Sequence, residues 1–223
     1  MHYIFDYSWM ASYIGVLISG LKLTVTLIWV GGSLGFIVSV LCAWIRTLGG
    51  PWTRFVVGSY VEFIRNTPFI IQLFFIFFGL PQMGLQLHEA TAAYIAMTIN
   101  LGAYGCEIIR AGIQVTPKGQ WEAGASLGMS KNQAFLYIVL LPALNRTWPA
   151  FSSQIVIVML GSAVVSQISV EDLTFAASFI QSRTFRAFEV YLATTIVYLG
   201  LAVAIRYFLS LLGRFLFYKG TAQ

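Results

Sequence analysis

The chain has 223 residues, of which 58% are hydrophobic, 16% aromatic and only 9% charged, with a mean hydropathy of +0.80 and a formal net charge of +5. A soluble domain carries about 25% charged residues, so 8 acidic and 13 basic side chains cannot coat a water-soluble ball of this size. An ordinary cytosolic enzyme, a secreted domain and a disordered chain are excluded, and at about 20 residues per helical span the length holds five spans plus loops.

Taken in order, the chain opens on Met1 to Trp9, which lacks a basic n-region and contains Asp6, so it reads as retained and not as a cleavable signal. The first apolar span is predicted at about Leu21–Ile45. Along it Gly31, Gly35, Ser39 and Ala43 recur every four residues, a small-residue stripe read as intramolecular helix packing ahead of a subunit contact. After a Gly49-Gly50-Pro51 turn, the second span is predicted at about Phe55–Leu80. It carries Glu62 and Arg65 three residues apart, with Pro68 just beyond, where a broken hydrogen-bond ladder favours a lined cavity. The third span, about Ala90–Ile109, leads to Glu107 and Arg110, again three apart and able to meet on one face. That pair reads first as self-neutralising anchors; Glu62 and Arg65 read equally as anchors, a gate or a subunit contact. The fourth span is about Thr147–Val165 and the fifth about Phe188–Leu209. Between them Ser169 and Asp172 have capping-box-like spacing, and Leu173, Ala176, Ala177 and Ile180 form a stripe expected to lie on the membrane interface. The expected architecture is all-α, a single membrane domain over residues 1–223 with its core at about 20–216.

Arg46, Arg54, Arg110, Lys118, Lys131, Arg206, Arg214 and Lys219 fall on one side of five crossings, and Lys22, Arg183 and Arg186 on the other. The richer side is expected to be cytoplasmic, with the N-terminus outside and the C-terminus inside. These cations are scattered singly between apolar runs, which suits the positive-inside rule and not a nucleic-acid partner; membrane lipid is the expected surrounding. Cys42 and Cys106 fall inside predicted spans and offer neither a disulfide framework nor a metal cluster.

The segment at about 114–142 has its own grammar. Thr116 is a good N-cap and Pro117 a good first helical residue, Glu122 follows in the second turn and Gly128 supplies a stop. Ser130 with Gln133 is a capping box that starts a second short helix, which Pro142 is expected to end. Gly124 and Gly128, four apart, are expected to leave one face bare for another backbone. The result is a rigid two-helix knob on the cytoplasmic side, built for a protein partner.

Glu122-Ala123-Gly124-Ala125-Ser126-Leu127-Gly128, followed by Leu141-Pro142, resembles the "EAA" loop of ABC importer permeases. Residues Asn100 to Ile113, then Pro117-Lys118-Gly119-Gln120, and Glu62-Phe63-Ile64-Arg65-Asn66-Thr67-Pro68 running into Gln72 resemble the polar amino-acid branch, whose members import histidine, glutamate, glutamine, arginine or opines. Gly124 stands where that family usually has Ala, Asn66 where Gly is common, and Leu141-Pro142 falls one residue later after Gly128 than in the family pattern. The resemblance implies a type I importer permease fold in a bacterial inner membrane, and a permease pair, identical or homologous. It also implies two ATPase subunits that hold the ATP and Mg, and an extracytoplasmic solute-binding protein. The knob, with Lys118, Gly119, Glu122, Ala123, Gly124, Gly128 and Pro142, would be its coupling element.

Polar residues inside the spans are candidates to line a route for a zwitterion: Glu62, Arg65, Thr67, Gln72, Asn100, Tyr104, Gln154, Ser162, Ser166 and Gln167. Gln154, beside Ser152 and Ser153 and five residues after Pro149, is the preferred one. No Walker-type loop, zinc motif or Gly-x-Ser-x-Gly occurs, and His2 and His88 stand alone, so the chain is expected to bind no cofactor and catalyse no reaction. The competing reading, a secondary carrier or channel for a small polar solute, would need no cytoplasmic knob and would usually show a paired internal repeat.

Overall fold

The computed structural model describes residues 5–217; His2, Lys219 and the first residues of the segment read above as no cleavable signal lie outside them. All regular elements among the described residues are helical. A helix pairs its backbone groups within one segment, and at membrane depth no water is present to pair them otherwise. The helices are α1 (Trp9–Leu48), α2 (Pro51–Arg65), α3 (Phe69–Phe74), α4 (Leu80–Gln82), α5 (Glu89–Gln114), α6 (Lys118–Ser126), α7 (Lys131–Ala134), α8 (Leu140–Gly161), α9 (Leu173–Thr184) and α10 (Ala187–Phe217).

The small-residue stripe of α1 sets the central contact. Gly31 faces Met97, and Gly35 lies so close to Leu101 that a Cβ there would come within 2.8 Å of it. The Ser39 hydroxyl donates to the Leu101 carbonyl at 3.1 Å, and Arg46 pairs with Glu107 at 3.7 Å. Residue numbers rise together on both helices, so α1 and α5 run parallel, and the stripe is the intramolecular seam expected of it. Two parallel neighbours require the chain to cross back between them, which α2 to α4 accomplish. α8 runs opposite to α5, with Ala143 under Gly112 and Phe151 against Gly105. α10 returns beside α1 and α8, tied by Trp148 Nε1 donating to the Leu209 carbonyl at 2.8 Å.

The second span departs from expectation. Instead of one helix over Phe55–Leu80, α2 and the Phe69–Gln82 segment meet at 111°. Pro68 has no N–H for the ladder and disfavours helical geometry at the residue before it; its own backbone is extended (φ −63°, ψ 139°). Four helices are individually long and apolar enough to cross a membrane, and this bent pair, taken as one span, is a fifth candidate. The Tyr60 hydroxyl, donating to the Ile99 carbonyl at 2.6 Å, fixes α2 across α5.

Pro142 does not end the second knob helix either. Lys131–Ile168 forms one continuous helical path, because a π-turn at Phe135–Val139 precedes the proline. A π-turn holds one residue more than an α-turn, so it loosens the ladder just before the Pro142 ring. A second π-turn, Phe75–Gly79, likewise precedes a proline, Pro81, by one residue less.

On the opposite side of the bundle the N-cap of α9 is Asp172, which accepts from the Phe175 N–H at 2.9 Å; Ser169 lies outside the helix with φ +64°. Leu173, Ala176, Ala177 and Ile180 are all buried. Their stripe packs on the chain itself, with Thr24 of α1 accepting from the Leu173 N–H at 3.0 Å and Ala177 and Ile180 joining Trp9 and Val190. It does not lie on the membrane interface, because α1 is long enough to cover it.

Candidate functional site

The break at Pro68 creates the polar site. A cavity of about 330 Å³ opens among Thr67, Pro68 and Phe69 of the break, Asn100 and Tyr104 of α5, and Gln154, Ile157, Val158 and Gly161 of α8. Its size is within the range for one small ligand. The nine lining residues include hydroxyls and amides but no ionised group. A larger cavity of about 630 Å³ between α1, α8 and α10 is lined almost wholly by aliphatic and aromatic side chains, with Ser33 its one hydroxyl.

The amides are ordered from behind. Pro68 cannot donate to the Ile64 carbonyl, and the Gln72 side chain takes up that acceptor: its Nε2 lies 2.8 Å from the Ile64 carbonyl, 2.9 Å from the Thr67 carbonyl and 3.0 Å from Thr67 Oγ1. The Thr67 hydroxyl itself donates to the Phe63 carbonyl at 2.9 Å. With its amide nitrogen so engaged, Gln72 presents Oε1 to Asn100, whose Nδ2 donates at 3.1 Å. Gln154 makes no hydrogen bond among the described residues, so its amide is open to the cavity. Tyr104 donates its hydroxyl to the Arg65 carbonyl at 3.3 Å, and the Arg65 guanidinium lies 5.7 Å from the Tyr104 ring centre.

The structure therefore brings Thr67, Asn100, Tyr104 and Gln154 together, with Gln72 and Arg65 in supporting positions. Glu62 is exposed and accepts from Asn66 Nδ2 at 3.2 Å, without an ion pair to Arg65. Ser162 and Ser166 bond the Met159 and Ala163 carbonyls of their own helix and do not line the cavity; Gln167 is exposed. Sequence reasoning missed Phe69, Ile157, Val158 and Gly161, whose apolar side chains or lack of one carry no polar signal. Glu107 and Arg110 form the expected pair, a two-pronged contact at 2.6 and 2.9 Å, extended by Arg46 into a triad joining α1 and α5.

The knob at 114–142 is stiff by construction. α6 ends in a Schellman motif: the Gly128 N–H donates to the Ala125 carbonyl and the Met129 N–H to the Gly124 carbonyl, both at 3.0 Å, with Gly128 at φ +75°. The Ser130–Gln133 capping box is present in both directions, at 2.8 and 3.3 Å. Gly124 is buried, and a Cβ on it would meet Ile138 Cδ1 at 2.9 Å and Ala134 Cβ at 3.2 Å. The two glycines thus do different things and do not make one bare face: Gly124 lets α6 lie against the second helix, while Gly128 turns the chain. Thr116 is not the cap, since its buried hydroxyl has no partner and Pro117 holds that position. Lys118, Gly119, Glu122, Ala123 and Gly128 are exposed, and so is Leu127, at 77% a large apolar side chain on the knob's tip; Pro142 is half-buried behind them.

Residues 35–218 match the family described as the binding-protein-dependent transport system inner membrane component. The glutamine transport system permease protein GlnP of Escherichia coli K12 is 34% identical over 212 residues, covering 94% of this chain and 97% of that protein. The probable glutamine ABC transporter permease protein GlnM of Bacillus subtilis 168 is 35% identical over 168 residues, 75% of this chain and 78% of its own length. Among solved structures, a crystal structure of an amino acid ABC transporter with histidines superposes with a TM-score of 0.84 at 36% identity, over 95% of this chain and 99% of that one.

Proposed function

Because this chain belongs to the family of binding-protein-dependent transport system inner membrane components, we propose that it passes a polar amino acid through a bacterial inner membrane, driven by partner ATPases through the knob at 114–142. The chain is a multi-pass permease of the amino-acid ABC importer class, a transport component and not a catalyst. The observation that carries the finer reading is the cavity at the helix break, which holds uncharged hydrogen-bonding groups between helices long and apolar enough to span a membrane. Such groups replace the water a zwitterion loses, without trapping it as a buried counter-ion would.

On this reading an extracytoplasmic binding protein delivers the solute, and a second permease, a copy or a homologue, completes the path. Two ATPase subunits hold ATP and Mg; each seats a knob, with Lys118, Gly119, Glu122, Ala123 and Leu127 as the contact surface. Closure of the ATPase pair displaces the knobs and switches the permease from inward- to outward-facing. The motion needs a lever that does not bend, which the Schellman turn, the capping box and the Gly124 packing supply. Because the second knob helix continues into α8, displacement of the knob moves Gln154 at the cavity directly. The excess of Lys and Arg on the knob side supports a cytoplasmic knob and an external N-terminus.

The test is affinity purification from native membranes followed by mass measurement of the intact assembly. Two permease chains with two ATP-hydrolysing subunits are expected; a chain that purifies stably without any ATPase contradicts the reading.

A further inference from the structure

We infer that Oδ1 of Asn100 is the fixed acceptor for the solute's α-ammonium group, and that Gln72 is the positioning residue that keeps it facing the cavity. The inference rests on the amino-acid permease reading and deepens it.

An asparagine amide has one donor end and one acceptor end, and which end faces a pocket is set by its partners. Here the choice is forced in two steps. The three atoms around Gln72 Nε2 are all acceptors toward it, namely the Ile64 and Thr67 carbonyls and a Thr67 hydroxyl whose proton is already given to Phe63. A flipped Gln72 would point Oε1 at three oxygens. With Gln72 fixed, its Oε1 accepts only if Asn100 offers Nδ2, as it does at 3.1 Å. Asn100 Oδ1 is left on the far side of the amide, and Asn100 lines the cavity.

That oxygen has no hydrogen-bond partner among the described residues, although Asn100 is 8% exposed. The acceptor is therefore open on the cavity side of a largely buried residue, and a cationic N–H satisfies it better than a neutral one. Among the other lining groups, the Thr67 oxygen already accepts from Gln72 Nε2 while donating to Phe63, the Tyr104 oxygen, its proton given to the Arg65 carbonyl, can only assist as a second acceptor, and the open Gln154 amide can donate to the carboxylate of the same zwitterion. The chain of cause runs from Pro68, which orphans the Ile64 carbonyl, through Gln72 to the solute.

The experiment is direct binding to the purified permease–ATPase complex without its binding protein. The probes are L-glutamine, L-glutamate and L-histidine, each compared with its deamino counterpart (4-carbamoylbutanoate, glutarate and imidazolepropanoate). The tightest amino acid is expected to bind about 10- to 100-fold better than its counterpart. That ratio should fall to about threefold or less in Asn100→Leu and in Gln72→Leu, with the counterpart's own affinity little changed. A ratio near one in the unmodified complex overturns the assignment whatever the variants do. A ratio preserved in the variants, with both ligands weakened alike, overturns it too, since that is the signature of a merely structural amide. An assembled, ATP-hydrolysing complex that binds none of the amino acids overturns the functional reading and this assignment with it.

Discussion

Substitutions at Gly128 separate a conformational role from a contact role. The residue sits at φ +75°, and a Cβ added there meets nothing within 4 Å, so the cost of a side chain is one of backbone geometry. The left-handed conformation costs a residue other than glycine about 1–2 kcal/mol, and Asn tolerates it better than Ala. At about 1 kcal/mol the population of the correctly turned knob shifts about fivefold against its opened forms, and the Schellman bonds from Gly128 and Met129 weaken with it. Gly128→Asn should therefore retain more coupling than Gly128→Ala, and Gly128→Val, β-branched, should retain least. Gly128→Asp should resemble Asn in geometry and add only a charge. The assay is solute moved per ATP hydrolysed in vesicles containing the permease, ATPase and binding protein, with ATPase association checked by co-purification. If losses instead follow side-chain bulk, with Asn worse than Ala, the tip needs a bare surface for its partner and the backbone reasoning is refuted.

Burial raises the Asp172 carboxyl to about 6, against opposing bonds from the Phe175 and Thr174 N–H groups and the Tyr198 hydroxyl. The folded chain holds that proton more tightly than the unfolded one, so this group's own contribution to stability is full below pH 4 and is lost as pH rises through about 6, on the order of 3 kcal/mol. Asp172→Asn keeps the cap and should flatten that part of the thermal midpoint–pH curve in detergent; an unchanged slope would reject the assignment. Glu107→Gln leaves Arg46 and Arg110 without their shared anion and should lower the midpoint, while Glu107→Gln with Arg110→Gln should cost less than the sum of the two singles, read by a double-mutant cycle. Gly35→Leu must push α1 from α5 at Leu101, where the Cβ already comes within 2.8 Å; a loss of about 1–3 kcal/mol is expected from overpacking, and an unaffected midpoint would show that the seam is slack.

What the sequence disclosed depended on whether local chemistry decided the outcome. The five apolar runs, the α1 stripe, the capping box at Ser130 and the stop at Gly128 were all legible, because spacing and residue type alone fix them. Thr67, Asn100, Tyr104 and Gln154 stood out as polar groups in apolar spans and proved to share one cavity. The sharp break at Pro68 was legible as a weak point but not as a 111° turn, since the turn is set by how Tyr60 holds α2 against α5. Proline also misled: at Pro142 a π-turn carries the helix onward, and nothing in the local pattern separates that from a stop. The Ser162 and Ser166 hydroxyls were indistinguishable in sequence from pathway groups, because bonding back to one's own helix leaves no trace in residue spacing. The α9 stripe gave its buried face correctly, but its cover came from the distant Trp9 end of α1.

The central claim is that this chain moves solute only when pushed through the knob near Glu122 and Gly128. The direct measurement is accumulation of a radiolabelled amino acid in sealed vesicles containing the permease alone, or the permease with its ATPase and binding protein, with and without ATP inside the compartment facing the ATPase. Accumulation above the external concentration is expected only in the complete, ATP-fed vesicles. Uphill accumulation by the permease alone would contradict the claim outright.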